Sequence, residues 1–359
     1  MKGRFLKFSG LLALIAAVMF ALSIGPSLLA DGGANHQVAN PHFGVSGGNV
    51  NDITARFCCS GTLGSLVTAG GVNYILSNNH VLARGDQAAV GEDISQPGRI
   101  DNNCALPPIV ADFTTASPLG TNVDAALAQL RTGTMDATGF IEDIGTISST
   151  VKVPAVGLAV AKSGRTTGFQ TGTISSINTS VSVQYQKSCG SGKKFVVSYT
   201  NQVVINSSTF SAGGDSGSLI VSNNSPSCRQ PVALLFAGSS TTTIGNPISE
   251  VLNKLTIALG SSVSFVGGTC TASVDAISDT PQLSRRAVRL ATNAMRSQEV
   301  QLMSQPGIIG IGVGAEDAVA GDAAIVVYID ANSPLTAKVP RRINGVRVKK
   351  VYSEPFVAY

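Results

Sequence analysis

Residues 210–220 read Phe-Ser-Ala-Gly-Gly-Asp-Ser-Gly-Ser-Leu-Ile and place Ser216 inside Gly214-Asp215-Ser216-Gly217. A serine hydroxyl is a weak nucleophile unless a base takes its proton and N–H donors await the oxyanion. Glycines on both sides of Ser216 permit a tight turn with positive φ, which lets neighbouring peptide N–H groups converge on one small space. The N–H groups of Gly214 and Ser216 are the expected oxyanion-hole donors. Taken alone, the same residues also read as a Gly/Ser surface loop, so other residues must decide.

The base can come from only three histidines, His36, His42 and His80. His36 and His42 lie in a Gly/Asn-rich stretch after an apolar N-terminal segment and read as bystanders. His80 follows the run Tyr74-Ile75-Leu76-Ser77-Asn78-Asn79 and precedes Val81-Leu82, where a strand gives way to a polar turn held by apolar anchors. Near neutral pH such an imidazole can accept a proton and return it. A structural histidine at a strand end is the competing reading. The third group should be a buried carboxylate that orients the ring. Asp124, the single charge in Asn122-Val123-Asp124-Ala125-Ala126-Leu127, fits best, because a carboxylate buried there needs a partner. Asp112 in Val110-Ala111-Asp112-Phe113 is the main rival, and Asp136 lies in a polar, turn-like stretch. The competing reading of Asp124 is a strand-end cap for backbone N–H groups.

The order His80, Asp124, Ser216 resembles the chymotrypsin/trypsin-like serine peptidases, the family from which the reference description of the Ser-His-Asp triad is drawn. The resemblance is carried by Asn79-His80 at a strand end, by Asp124-Ala125-Ala126-Leu127, by residues 214–219, and by Leu234-Leu235-Phe236-Ala237-Gly238-Ser239, which is similar to the strand lining the primary specificity pocket. The wording of Gly61-Thr62-Leu63-Gly64 and of residues 75–82 is closer to a bacterial branch related to the narrow-leaf type of plant trypsin-like proteins. The resemblance covers roughly residues 55–266. It implies two β-barrels, with His80 and Asp124 from the first and Ser216 from the second, and a substrate pocket walled by Phe210, Gly213, Phe236, Ala237, Gly238 and Ser239. Phe210 stands where Arg/Lys-cutting members carry a charged residue, and valine follows His80 where animal members carry cysteine. Small or medium uncharged side chains are therefore the expected preference.

The whole chain bounds these readings. A length of 359 residues suffices for two or three cored units, and a formal charge of +4 is too slight to imply nucleic acid. With 39 glycines and 13% charged residues, the composition suits short strands and turns. Lys2, Arg4 and Lys7 followed by an apolar stretch mark residues 1–30 as a secretory signal, with an uncleaved membrane anchor as the alternative. Residues 31–54 read as a flexible segment, 55–268 as the peptidase domain and 269–359 as a small α+β accessory domain. In that last unit Leu283, Ala287, Leu290, Ala291 and Ala294 mark one face of a helix, and strand-like runs follow at 308–313, 324–329 and 346–351. Gly310-Ile311-Gly312-Val313-Gly314 lacks the context of a nucleotide loop, and Arg341-Arg342 with Lys349-Lys350 reads as a solvated face.

Cys58, Cys59, Cys104, Cys189, Cys228 and Cys270 fit an oxidising compartment and lack metal-ligand spacing. Spacing suggests Cys58 or Cys59 with Cys104 and Cys189 with Cys228, with Cys270 paired to the spare vicinal cysteine or free. The expected function is an exported serine endopeptidase acting on peptide or protein, with no cofactor and no metal. The alternatives are a silent binding or scaffold protein of the same fold and an esterase using the same triad.

Overall fold

The computed structural model describes residues 41–225, 227–269, 283–316, 322–335 and 337–359. The secretory segment, His36 and Cys270 lie outside the described residues. The chain is mainly β, with a half-barrel followed by a closed barrel. In the first sheet the spatial order is Ser264–Phe265, Ser65–Ala69, Val72–Ser77, Ala125–Leu130, Ile109–Ser117, Asp93–Ser95, Val45–Asn49 and Gly61–Leu63. Every pairing is antiparallel. Its inward side chains, among them Leu66, Ile75, Leu76, Ile94, Val110 and Leu127, form one core with the helix Ile248–Leu259, which buries Ile248, Val251 and Leu255 at helical spacing. That helix ends at Gly260 in the left-handed region.

The second sheet runs Gln170–Thr173, Ala159–Lys162, Leu219–Ser222, Pro231–Ser239, Thr242–Pro247, Ser191–Asn206 and Ser176–Ser188. Pro231–Ser239 is buried at every position, because its two faces serve different cores: Leu234 packs into the first, Ala233 and Leu235 into the second. Residues Ser191–Asn206 form one long strand.

Two expected boundaries move. The first sheet begins before residue 55, since Val45–Asn49 is buried throughout and pairs with both Gly61–Leu63 and Asp93–Ser95. The C-terminal α+β unit joins the second sheet edge to edge. Its strand Ile308–Ala315 pairs antiparallel with Ser176–Ser188, and Ala323–Asp330, Val346–Ser353 and Arg342–Ile343 extend the same sheet. Gly310, Gly312 and Gly314 are thus strand residues between two neighbouring strands. The helix expected from its apolar face is Arg285–Arg296, capped by Ser284 Oγ accepting from the Ala287 N–H, and a short helix Glu299–Met303 follows a break. Its buried stripe is rotated from the expected one: Ala291, Ala294 and Met295 are buried, whereas Leu290 is 53% exposed. Arg341, Arg342, Lys349 and Lys350 are exposed.

The last strand, Phe356–Ala358, returns to the second barrel, parallel to Ser176–Ser188 and antiparallel to Pro231–Ser239. Phe356 is 1% exposed and shares a core with Val183, Tyr199, Phe236 and Tyr328. Replacing it by alanine should cost about 3–5 kcal/mol, the range for emptying a buried phenylalanine site. Urea unfolding should show that loss in the transition that melts the second barrel, and a separate early transition of residues 283–359 would contradict the shared core.

Candidate active site

His80 is held where Val72–Ser77 ends. Asn78 Nδ2 donates to the Asp124 carbonyl (2.7 Å), while Asn79 Nδ2 donates to the Ser117 carbonyl (2.8 Å) and to Asp86 Oδ1 (2.6 Å). These bonds fix the short helix Asn79–Leu82 that carries the imidazole. Asp124 precedes the strand Ala125–Leu130 and is 0% exposed. Its Oδ2 accepts from His80 Nδ1 at 2.6 Å and from the Tyr185 hydroxyl at 2.7 Å, and its Oδ1 accepts from the His80 backbone N–H at 3.2 Å. The Asp124 N–H donates to Asn246 Oδ1 (2.9 Å), and Asn246 Nδ2 donates to Gln202 Oε1 (2.7 Å). A buried carboxylate is tolerable only with such a set of donors. Asp112 instead pairs with Arg131 at 2.6 Å, Asp136 bonds Thr138 and the Phe140 N–H, and His42 meets Glu142. Tyr185 also lies edge-on to His80, with ring centroids 6.0 Å apart, and its hydroxyl meets that of Tyr199 at 2.6 Å.

The other ring nitrogen, His80 Nε2, meets the Tyr359 main-chain oxygen at 2.9 Å. A carboxylate and a main-chain oxygen both accept, so this pair of partners favours a proton on each ring nitrogen. Burial opposes the charge, but the Asp124 carboxylate, its hydrogen bond and the Tyr359 oxygen outweigh it and hold the His80 pKa above the ordinary 6.5. Asp52, on the same cleft, is pushed up to about 6 by burial, against the His80 and Arg84 charges.

The loop that carries Ser216 is fixed by Asp215, which is fully buried. Its Oδ1 accepts from the Thr166 and Thr167 N–H groups (2.8 and 3.1 Å), and its Oδ2 accepts from the Ala212 N–H (2.9 Å) and the Thr167 hydroxyl (2.7 Å). Lys162 Nζ, also 0% exposed, lies 3.1 Å from Oδ2. Burial draws the Lys162 ammonium below its usual value, against the Asp215 charge. Gly214 and Gly217 have φ of +100° and +93°, and a Cβ at Gly217 would lie 2.1 Å from Ser77 Oγ. The Gly214 carbonyl accepts from Thr62 Oγ1 (3.0 Å) and the Ser216 carbonyl from the Thr62 N–H (2.8 Å), which fastens the loop to the first barrel. Among the described residues, the Gly214 and Ser216 N–H groups donate to no protein acceptor. Ser216 is 0% exposed and its hydroxyl donates to the Phe236 carbonyl at 3.2 Å; it makes no hydrogen bond to His80 in this state.

His80, Asp52, Arg84, Arg165, Gly213 and Gly214 line one cleft of about 670 Å³, and Ala358 and Tyr359 line it with them. Of the expected pocket walls, Gly238 and Ser239 touch Tyr359, while Phe210 is 0% exposed and belongs to the barrel core against which Tyr359 packs. The Phe236 ring points into the barrel core beside Tyr199, with centroids 4.9 Å apart, and Ala237 pairs with Ala358. The expected disulfides are half replaced. Cys58 bonds Cys104, but Cys59 bonds Cys189, so the second bridge joins the first barrel to the Ser176–Ser188 hairpin instead of joining Cys189 to Cys228. Vicinal cysteines carry no signal that tells a bridge within a barrel from one between barrels. Sequence reading also missed Tyr185, Asn246, Lys162 and Tyr359. The only available signal was a lysine, Lys162, closing an otherwise apolar strand.

No protein-family model matches the chain, and no curated protein matches it. Among solved structures the chain is similar to a glutamic-acid-specific serine protease described as using a novel histidine triad in substrate binding, at 21% identity over 62% of this chain and 98% of that one, TM-score 0.44. It is also similar to the Nocardiopsis protease NAPase (18%, 63% and 99%, TM-score 0.40) and to Thermobifida fusca protease A (18%, 64% and 100%, TM-score 0.39). These neighbours are chymotrypsin-like serine proteases.

Two outcomes follow from the buried charges. Because the folded His80 pKa lies above the ordinary value, its contribution to stability is complete below about pH 6.5 and is lost as pH rises through the raised value. Imidazole NMR should place the His80 titration above pH 6.5; a value at or below it would remove the imidazolium assignment. Lys162→Met leaves Asp215 buried without its cation and should cost about 3–5 kcal/mol in urea unfolding, with part of the loss recovered by adding Asp215→Asn.

Proposed function

We propose that this chain is an exported serine endopeptidase. His80 acts as base and then acid, Asp124 orients it, Ser216 attacks the scissile carbonyl, and the Gly214 and Ser216 N–H groups receive the oxyanion. The observation that carries this reading is the His80–Asp124 pair, bonded at 2.6 Å with Nε2 facing the cleft whose wall is Gly213 and Gly214. A rigid loop with two N–H groups free of protein acceptors adds to it, because preorganised donors lower the cost of charge development. The serine protease neighbours support the same class at the level of fold.

For turnover the Tyr359 oxygen must leave Nε2 and the Ser216 hydroxyl must rotate from the Phe236 carbonyl onto it. His80 must then be neutral, so kcat/KM should rise with pH through its raised pKa. Water hydrolyses the resulting acyl-enzyme, with His80 as base in that second step. The disulfides fit an oxidising, extracytoplasmic setting, and no described helix is long and apolar enough to cross a membrane. A silent scaffold reading rests on the occupied Nε2 and the turned hydroxyl.

A serine-directed phosphonate separates the two. The wild-type protein should be labelled at Ser216 and Ser216→Ala should not be labelled. Labelling that persists at another residue would overturn the nucleophile assignment, and no labelling of wild type would favour the scaffold.

A further inference from the structure

One wall of the cleft beside His80 is made by residues 358–359 of the chain itself. Val357 lies opposite Gly238 and Ala358 opposite Ala237 in antiparallel register, so residues 357–358 run along Pro231–Ser239 as an added strand. On the other side Phe356 and Val357 pair with Val183 and Gln184. Tyr359 then meets His80 and the carbonyls of Phe236 and Ser239. Its N–H donates to the Phe236 carbonyl (3.4 Å), the acceptor also used by the Ser216 hydroxyl (3.2 Å). Its main-chain oxygen lies on His80 Nε2 (2.9 Å), and its phenol donates to the Ser239 carbonyl (2.7 Å). The ring rests over Gly238, where a Cβ would lie 2.4 Å from the phenol oxygen and 2.8 Å from Cζ, and against the core cluster that includes Phe210 and Val232.

We propose that residues 356–359 are a tethered, substrate-like occupant of this cleft, and that the pocket at Gly238 and Ser239 selects a tyrosine-class aromatic side chain in the residue whose carbonyl meets the catalytic groups. This rests on the peptidase reading above and names its substrate class and its regulation. It replaces the expectation of small side chains, and the reason is steric. Walls of glycine and serine carry little bulk, so they leave room for a large side chain. The pocket's acceptor is a carbonyl, which suits a neutral donor. Burial pushes the Tyr359 phenol up to about 12, so it stays protonated and donating across the physiological range. Of the two carboxylates that act on the phenol, Asp215 is committed to Lys162 and four other donors and Glu354 is exposed to solvent, so neither is a free buried partner for a lysine or arginine side chain.

A tethered strand competes at an effective concentration of about millimolar, so micromolar peptides are excluded while the tail is seated. The test uses the full chain in a Ser216→Ala background and a fluorescein-labelled peptide Phe-Val-Ala-Tyr, read by anisotropy. Tyr359→Gly, which removes the side chain and loosens the last residue, should raise peptide affinity about tenfold or more over the unmodified tail. Val357→Pro, which breaks the strand pairing, should do the same and guards against a fold-specific effect of the first change. Phe-Val-Ala-Ala should bind about 100-fold more weakly than Phe-Val-Ala-Tyr, and Phe-Val-Ala-Phe about fivefold more weakly, since it leaves the Ser239 carbonyl unmet. Equal affinity in tail-intact and tail-weakened chains would overturn the tethered occupant, as would no binding to either weakened chain. Equal binding of the alanine peptide would overturn the aromatic selection. Binding with the expected preference, but without cleavage of that peptide's p-nitroanilide or phosphonate labelling when Ser216 is present, would support the occupant and sink the peptidase reading.

Discussion

Asp215 is the group on which the candidate site depends. A carboxylate with no exposed surface stays charged only if the protein replaces its hydration, and here five donors do so: Lys162, two backbone N–H groups and the hydroxyl from the 166–167 turn, and the Ala212 N–H. The donors enter from three places, the end of Ala159–Lys162, the 166–167 turn and Ala212, so satisfying the charge fixes these relative to one another. The turn after Ala159–Lys162, the run before Gly213 and the Ser216 loop become one body. A loop held in this way keeps the left-handed φ at Gly214 and Gly217, and it keeps two adjacent N–H groups out of the barrel's own hydrogen bonding. The buried lysine makes this arrangement internal to the fold, so the loop does not depend on a charge delivered from elsewhere in the chain.

Asp124 is the matching carboxylate on the other side of the cleft, and it is solvated differently. Among the described residues no cation other than His80 pairs with it; its partners are the imidazole, a tyrosine hydroxyl and the His80 backbone N–H. The difference is functional. A permanent cation beside Asp124 would weaken its pull on the imidazole, whereas a tyrosine donor whose pKa is driven far up by burial and by the Asp124 charge orients the carboxylate without neutralising it. Tyr185 comes from the second barrel and Asp124 from the first, as do Asn246 and the Asp124 N–H, so the pair is assembled only when both barrels are seated. The Cys59–Cys189 bridge crosses the same boundary near the cleft rim. Catalytic geometry between two rigid bodies needs such cross-boundary ties, since small displacements are costly in rate.

The parts legible in sequence were those set by local chemistry. Gly-Asp-Ser-Gly announces its own turn because only glycine tolerates the required φ, and a single aspartate in an alanine-rich strand announces a buried charge. His80 stood out by scarcity and by its place at a strand end. The parts that were not legible depend on distant pairing. Nothing in Tyr-Gln-Lys-Ser-Cys tells that Tyr185 reaches Asp124 across 61 positions, or that Cys189 bonds Cys59 across 130. Val45–Asn49 was missed because its Ser-Gly-Gly-Asn core has the composition of a loop, and two paired neighbours, not propensity, make it a strand. Leu290 was placed on the buried stripe because apolar spacing fixes a helix's period but leaves its rotation about the axis to the partner surface.

The C-terminal unit illustrates how sheet continuity can become regulation. By adding Ile308–Ala315 to the edge of Ser176–Ser188, the chain extends the second barrel's sheet outward. Val346–Ser353 runs parallel to Ala323–Asp330, and the chain then turns at Glu354-Pro355 so that Phe356–Ala358 comes back to Ser176–Ser188 and Pro231–Ser239. An edge strand beside a cleft is an open template, with donors and acceptors awaiting a partner. Filling it from within satisfies those groups, and anchoring the filler through Phe356 in the shared core holds the next three residues beside His80, so that only their own local freedom is lost on seating. Affinity of the seated residues can therefore be modest while occupancy stays high. Displacing them requires no unfolding of the unit that delivers them, because Phe356 remains packed while Tyr359 leaves. The same anchor that keeps the cleft covered thus leaves it able to open.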